Sequence, residues 1–240
     1  MATSTLTHDT NTETHPLVGS QAGIDCPEAL AEWFERVYAD AAQHAGTIPW
    51  KHDCANPSFV AWLNVEAPSI IRPGARVVVA ACGQGHDVAE LVSRGYDAVG
   101  FDVSQSCVQW AKETHPEHAD RFFQADLLDP PAKCRGRFDL VVEIHTVQAA
   151  PPAMRSALAK GLAGMLHRHG VLVAIARGRD ASQPVLEAEG PPYPLTSDEL
   201  GSLFADEGLT PTRPIDDFLD GNDPPVHRLR GVFAVDRNDI

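Results

Sequence analysis

The stretch VVVAACGQGHDVAELVSRGYDAVGFDVS, residues 77–104, constrains the fold more than any other part of this chain. A β-branched run meets a turn with two glycines, a helical pattern follows, and a second apolar run ends at Asp102. Val88, Leu91 and Val92 recur at the spacing of one helix face, whereas the short apolar runs are typical of strands. The stretch therefore predicts a strand, a helix and a second, parallel strand.

The same alternation continues along the chain and predicts an α/β fold with a doubly wound, mainly parallel sheet, which we expect to be seven-stranded. The run at 138–145 is the most hydrophobic, as expected of a central strand that is buried on both faces. TSDE near residue 196 has the form of a capping box and predicts a helix start. The predicted elements are helices at about 105–115, 153–167 and 196–206, strands at 121–126, 138–145 and 170–177, and an antiparallel edge strand within 226–237.

The segment before the first strand is predicted to be helical. Residues 26–45 place Leu30, Trp33 and Val37 on one helical face, with Pro27 at the start and Gly46 at the end. A second helix is predicted near 58–66. The predicted organisation is a disordered tail (1–22), a helical cap or lid (23–72) and a ligand-binding core (73–240), with cap and core forming one structural domain.

Charge and composition favour a small-molecule ligand. The net charge of −14 over 240 residues disfavours nucleic acid and anionic membranes, because binding phosphates needs a basic face. The five cysteines are odd in number and form no C-x-x-C pair, which predicts a reduced, cytoplasmic protein without a metal site. We expect a monomer or a homodimer.

Polar residues fall at the carboxyl ends of the predicted strands, where ligands bind in such sheets. Gly83 and Gly85 allow backbone to approach a ligand closely, and Asp102 lies where an acid would accept hydrogen bonds from ribose hydroxyls. The third glycine of a dinucleotide fingerprint is replaced by Val88, and no P-loop lysine is present. S-adenosylmethionine has a ribose and an adenine but no pyrophosphate, so it fits the turn better. Asp126 either meets the adenine amino group or caps the following turn.

These motifs resemble those of class I S-adenosylmethionine-dependent methyltransferases. The chain is most similar to the family of thiopurine S-methyltransferases and thiol or thiocyanate methyltransferases. The resemblance covers most of residues 30–210. It rests on CGQGHDVAELVSRGYDAVGFDVSQSCV, QADLLD, FDLVVEIHTVQAAPPAMRSALAKGLAGMLHRHGVLVAI, EGPPYPLTSDELGSLF and IPWKHDCANPSFVAWL.

The resemblance implies a cofactor, S-adenosylmethionine, whose product is S-adenosylhomocysteine, and a lid that includes Trp50. Trp50 is expected to cover the cofactor, whereas Trp33 is expected in the core. Ala81 stands where the family has the first glycine of the turn, and Pro49-Trp50-Lys51 replaces its Pro-Trp-Asp. The candidate cofactor-binding residues are Trp50, Ala81, Gly83, Gly85, Asp102, Val103, Asp126, Leu127 and Glu143.

Glu143 and His145 are the candidate catalytic residues. Both close the fourth strand, and strand alternation predicts that their side chains point the same way. His145 has the better intrinsic pKa for a general base near neutrality, while Glu143 would orient it or hold the methionyl amino group. His86 and His52 are further candidates, and Arg177 would balance an acid or bind an acidic acceptor. Glu143 and His145 could each instead be a satisfied buried polar group.

The predicted activity is methyl transfer to a small nucleophile, with a thiol or other soft sulfur favoured by the resemblance. The alternatives are an O- or N-methyltransferase acting on a natural product or other metabolite and, in a different class, a non-catalytic cofactor-binding module.

Overall fold

The protein is described from a computed structural model, which covers residues 21, 23–43, 48, 50–183 and 190–235. Nearly all of the predicted N-terminal tail, the predicted helix end at Gly46, Pro49 and the last residues of the predicted edge strand lie outside the described residues. The division between cap and core at residue 72 stays a prediction.

The described residues form one sheet whose strand order is β3-β2-β1-β4-β5-β8-β6, with β7 also paired to β8. Strands β1 to β5 run parallel, and β8 is antiparallel to β5, β6 and β7. This confirms the predicted doubly wound, mainly parallel sheet. The strands are β1 (Arg76–Ala80), β2 (Asp97–Asp102), β3 (Phe122–Gln124), β4 (Phe138–Ile144), β5 (Leu166–Arg177), β6 (Leu209–Pro211), β7 (Asp216–Leu219) and β8 (His227–Val235).

Helices cover both faces of the sheet, as the two buried clusters show. One cluster joins Phe59, Trp62 and Val88 to the sheet, and the other joins Leu158 and Phe204 to its opposite face. Trp33 is 6% exposed and packs in a third cluster, which confirms its predicted core position. The helices are α1 (Pro27–Gln43), α2 (Pro57–Val65), α3 (Ala67–Ile70), α4 (His86–Ser93), α5 (Gln105–Thr114), α6 (Arg155–Met165) and α7 (Ser197–Ala205).

The antiparallel part of the sheet differs most from the sequence prediction. The sheet has eight strands where seven were expected, and neither the three-residue β6 nor the four-residue β7 was located from the sequence. Strand β5 begins at Leu166 instead of 170, since Leu166 pairs with Phe138 ahead of a register shift. Such short or irregular pairings depend on the neighbouring strand. They are too short to show a hydrophobic periodicity in the sequence. The capping box of α7 is present as predicted.

Within the described ranges, none of the helices combines the length and the apolar character that crossing a bilayer requires.

Candidate active site

The carboxyl ends of strands β1 to β5 surround one cavity of about 440 Å³. Its walls come from the turn after β1, the ends of the neighbouring strands, and the segment between α1 and α2. Of the residues singled out from the sequence, the cavity is lined by Trp50, His52, Ala81, Gly83, Gly85, His86, Asp102, Val103, Asp126, Leu127, His145 and Arg177, but not by Glu143.

The turn after β1 depends on left-handed backbone at three positions. Ala81, Gly83 and Gly85 have φ of 48°, 54° and 84°, a region that side chains with a Cβ rarely adopt. A Cβ on Gly85 would lie 2.6 Å from the Phe122 ring, so Gly85 is required for space as well as for conformation. Gly85 is also the N-cap of α4, so the first amides of that helix lie beside the cavity.

Asp102 holds the glycine turn against the end of β2. One carboxylate oxygen accepts a hydrogen bond from the Gly83 amide at 3.2 Å, and the other accepts from the Ser104 amide at 3.1 Å. The residue is only 4% exposed. Burial raises the pKa of Asp102, although these backbone hydrogen bonds oppose that rise. Each carboxylate oxygen has a second lone pair, so the group can also accept hydrogen bonds from a ligand.

Trp50 joins an aromatic group that reaches the same turn. Its indole Nε1 donates to the Tyr38 hydroxyl at 3.0 Å, and its ring lies 6.3 Å from those of Trp33 and Phe34. The Tyr38 oxygen is 3.7 Å from the place where a Cβ on Gly83 would stand. Sequence reasoning missed Tyr38, because it falls on the apolar stripe of α1 and looked like a core residue.

Asp126 lies at the edge of the cavity and also caps a turn. Its Oδ1 accepts from the Leu128 amide at 2.8 Å, which is the capping alternative that the sequence left open. Capping occupies one carboxylate oxygen and does not exclude a ligand contact through the other.

His86 packs edge-on against His115, with ring centroids 5.0 Å apart.

Glu143 is a fully buried carboxyl group behind the cavity wall. Its Oε1 accepts from the amides of Thr146 at 2.5 Å and Val147 at 3.0 Å, while its Oε2 has no partner among the described residues. Burial raises the pKa of Glu143 to about 7, against the lowering effect of the Val147 and Thr146 hydrogen bonds. The Glu143 carboxyl group therefore stabilises the turn after β4 through these two backbone hydrogen bonds.

His145 does not share the strand geometry of Glu143. Strand β4 ends at Ile144, and His145 has a left-handed φ of 65°. The prediction from strand alternation therefore does not apply, and of the two side chains only His145 lines the cavity. Burial, together with the positive charge of Arg228, lowers the pKa of His145 to about 4. The imidazole is therefore neutral near pH 7.

Three polar neighbours of His145 were not predicted. The Asn56 side-chain amide lies 3.5 Å from His145 Nε2 while its oxygen caps α2. Gln148 and Arg228 line the same end of the cavity. An Asn-Pro pair at 56–57 is a helix-start signal in the sequence, but the approach to His145 depends on tertiary structure.

The pKa of Glu143 leads to a prediction about stability. Below the pKa of an unfolded glutamate, about 4.3, the group is protonated in both states. Its cost to the fold grows as pH rises from there to about 7, and is constant above that pH, where both states are ionised. We expect Glu143→Gln to gain about 2 kcal/mol of unfolding free energy relative to the wild type between about pH 5 and about pH 8. Chemical denaturation without cofactor measures this, with the exposed Glu32→Gln as control. A constant difference across this range would show that the pKa of Glu143 in the folded protein is not raised above that in the unfolded chain.

The cavity suits a ligand that places a ribose beside the turn after β1. At the turn after β1, two glycines without Cβ atoms, Gly83 and Gly85, lie beside the buried carboxylate of Asp102. This arrangement suits the ribose of S-adenosylmethionine. In the part of the chain that the structure describes, no three metal-ligating side chains come together.

Comparison with known proteins identifies the family. The family model described as thiopurine S-methyltransferase matches residues 38–221. The chain is 29% identical to thiocyanate methyltransferase 1 of Brassica oleracea over 171 residues, which cover 70% of this chain and 69% of that protein. It is 29% identical to thiopurine S-methyltransferase of Pseudomonas fluorescens (strain SBW25) over 151 residues, which cover 54% and 65%.

Solved structures share the fold at lower identity. The 1,6-didemethyltoxoflavin-N1-methyltransferase of Burkholderia thailandensis superposes with a TM-score of 0.67 at 17% identity, covering 91% of this chain and 94% of that one. The magnesium protoporphyrin IX methyltransferase of Synechocystis PCC 6803 gives a TM-score of 0.62 at 19% identity, covering 86% and 99%. Because the family model spans most of the chain, including the ends of β1 to β5 that line the cavity, this protein belongs to the thiopurine S-methyltransferase family and is an S-adenosylmethionine-dependent methyltransferase.

Proposed function

We propose that this methyltransferase acts on a small sulfur nucleophile, a thiol or a related soft sulfur centre. The observation that carries the proposal is the family match across residues 38–221, which contains both the glycine turn and His145. Relatives named as thiocyanate, thiol and thiopurine methyltransferases support the sulfur preference.

In this proposal the cofactor lies at the end of the cavity built by β1, β2 and β3. Gly83 and Gly85 bring backbone against it, Asp102 accepts from the ribose hydroxyls, and Asp126 meets the adenine. Trp50 covers the site from the N-terminal segment, held by Tyr38. The remaining proposed contacts come from the neighbouring residues Ala81, Val103 and Leu127, and from Glu143 acting from behind the wall.

The cofactor supplies a methyl group that its sulfonium already activates, so the protein needs to align the acceptor and exclude water. Trp50, Ile144 and His145 line the space available to the acceptor. His145, with its pKa lowered to about 4, is a weak proton acceptor near neutrality. Its neutral ring instead orients the acceptor through Nε2, the nitrogen that lies 3.5 Å from the Asn56 side-chain amide, because Nδ1 is buried.

An acceptor panel tests the proposed sulfur preference. Thiols, iodide, phenols and amines are each incubated with S-adenosylmethionine, and formation of S-adenosylhomocysteine is measured. We expect the highest kcat/KM with thiols. A preference for phenols or amines would replace the proposal with an O- or N-methyltransferase, and binding without turnover of any acceptor would favour a non-catalytic module.

A second test concerns His145. We expect His145→Ala to lower turnover by about two- to tenfold, the value of one net hydrogen bond, and by the same factor for thiols of every pKa. The measurement is kcat across a series of thiols of similar size. His169→Ala, an exposed histidine on β5, is the matched control. A loss that grows with acceptor pKa would instead make His145 the general base.

A further inference from the structure

Two arginines stand side by side at the cavity on the antiparallel half of the sheet. Arg177, the last residue of β5, is the direct partner of Arg228 on β8, and both line the cavity. Directly opposed residues of an antiparallel pair project on the same face, where like charges destabilise the pairing. The arrangement therefore carries an electrostatic cost that a bound anion would remove.

The neighbouring Arg230 is neutralised, whereas the pair formed by Arg177 and Arg228 is neutralised only in part. Arg230, two residues along β8, lies 2.7 Å from an Asp216 oxygen and 3.7 Å from a Glu66 oxygen. Arg228 meets one carboxylate, with Nε donating to Asp220 at 2.9 Å, and Arg177 has no ion pair among the described residues. Two guanidinium groups and one carboxylate leave one positive charge at this wall.

The charged residues that line the cavity are also divided between its two ends, with the acids at one end and the two arginines at the other. The acids that line it are Asp87, Asp102 and Asp126, all following β1, β2 or β3. The groups around His145 are Asn56, Gln148 and the two arginines, and the neutral imidazole adds no charge. In a chain with a net charge of −14, a cationic end beside the proposed acceptor space is a specific feature.

From the partly neutralised pair Arg177 and Arg228 at the His145 end of the cavity, we propose that the methyl acceptor is a thiol that carries a carboxylate. The inference rests on the proposed function. The single excess charge matches a monoanion, and a guanidinium presents a planar fork of donors that fits a carboxylate. The carboxylate lies against the arginine pair while the sulfur lies toward His145 and the glycine turn.

Mercaptopropionate and its neutral amide test this proposal. We expect the wild type to methylate the carboxylate with at least tenfold higher kcat/KM, and Arg177→Gln to remove about tenfold of this advantage through KM. Turnover of the amide should fall less than that of the carboxylate. Arg168→Gln makes the same charge change at an exposed position near the other end of β5. It should leave kcat/KM unchanged for both substrates. Equal kcat/KM for both substrates, or equal losses in Arg177→Gln, would overturn the proposal.

A binding measurement separates failure of this inference from failure of the proposed function. The S-methylated carboxylate and the S-methylated amide are titrated calorimetrically into protein saturated with S-adenosylhomocysteine. We expect the carboxylate to bind about tenfold more tightly in the wild type, and this difference to disappear in Arg177→Gln. Because this measurement requires no turnover, it tests the proposed anion site even if the reacting atom is not sulfur. Equal affinities in the wild type would overturn the anion site itself.

Discussion

Replacing Gly85 with alanine is expected to lower the free energy of unfolding by about 2–5 kcal/mol. The left-handed φ of 84° costs a residue with a Cβ roughly 1–2 kcal/mol. The added methyl group would lie 2.6 Å from the Phe122 ring, which is only 2% exposed and cannot swing into solvent. Forcing an extra carbon into such packing typically costs a further ~1–3 kcal/mol.

Gly95 provides a matched control at the other end of α4. It has the same φ of 84°, but a Cβ there would meet nothing within 4 Å. Gly95→Ala should therefore show only the conformational cost of roughly 1–2 kcal/mol. Chemical denaturation of both variants isolates the steric contribution at Gly85. Equal losses in the two variants would mean that the turn relaxes away from Phe122.

Asp102→Asn should weaken S-adenosylmethionine binding by about ten- to a hundredfold, because it replaces charge-assisted hydrogen bonds to ribose with neutral ones. Asparagine also turns an N–H₂ group toward the amide of Gly83 or Ser104, both of which now donate to the carboxylate. The variant should therefore lose stability as well as affinity. Asp102→Ala would leave both amides without this acceptor, so it disturbs the turn more.

Calorimetric titration below the melting temperature of the variant measures the affinity separately from the stability. Asp97→Asn changes the same charge at the exposed start of the same strand and should leave Kd unaltered. An Asp102→Asn protein that folds and binds the cofactor with wild-type affinity would refute the proposed ribose contact.

The parallel half of the fold could be predicted from the sequence because its signals are local. Strand β2 ends at Asp102, as predicted, and α7 starts at its capping box. Both rest on periodicity or capping within a few residues. Strands β6 and β7 have three and four residues, too few for periodicity to be visible.

The candidate site was predictable to the extent that strand ends in such sheets converge on ligands. The glycine turn and Asp102 followed from that rule. The conformation of His145 did not, because a left-handed residue directly after a strand leaves no trace in hydrophobic patterning. The alignment of Arg177 with Arg228 also depends on the β5–β8 register, which no local pattern specifies.

Helix α1 is hydrogen-bonded to the segment that directly follows Asp102. Glu35 of α1 accepts hydrogen bonds from the Ser104 hydroxyl at 2.7 Å and the Ser106 hydroxyl at 2.5 Å. The Ser104 amide in turn donates to Asp102, so a single serine joins the helix to the proposed ribose-binding carboxylate.

This shared serine couples ligand affinity to a docking equilibrium. When a protein binds in only one of its conformations, its apparent Kd is the intrinsic Kd divided by the population of that conformation. If α1 leaves its docked position, the turn around Asp102 loses a partner and Trp50 loses its Tyr38 anchor. Substitutions at the α1–α5 contact would then tune cofactor affinity from a distance, by changing how often the competent state is present and leaving the contacts to the ligand intact.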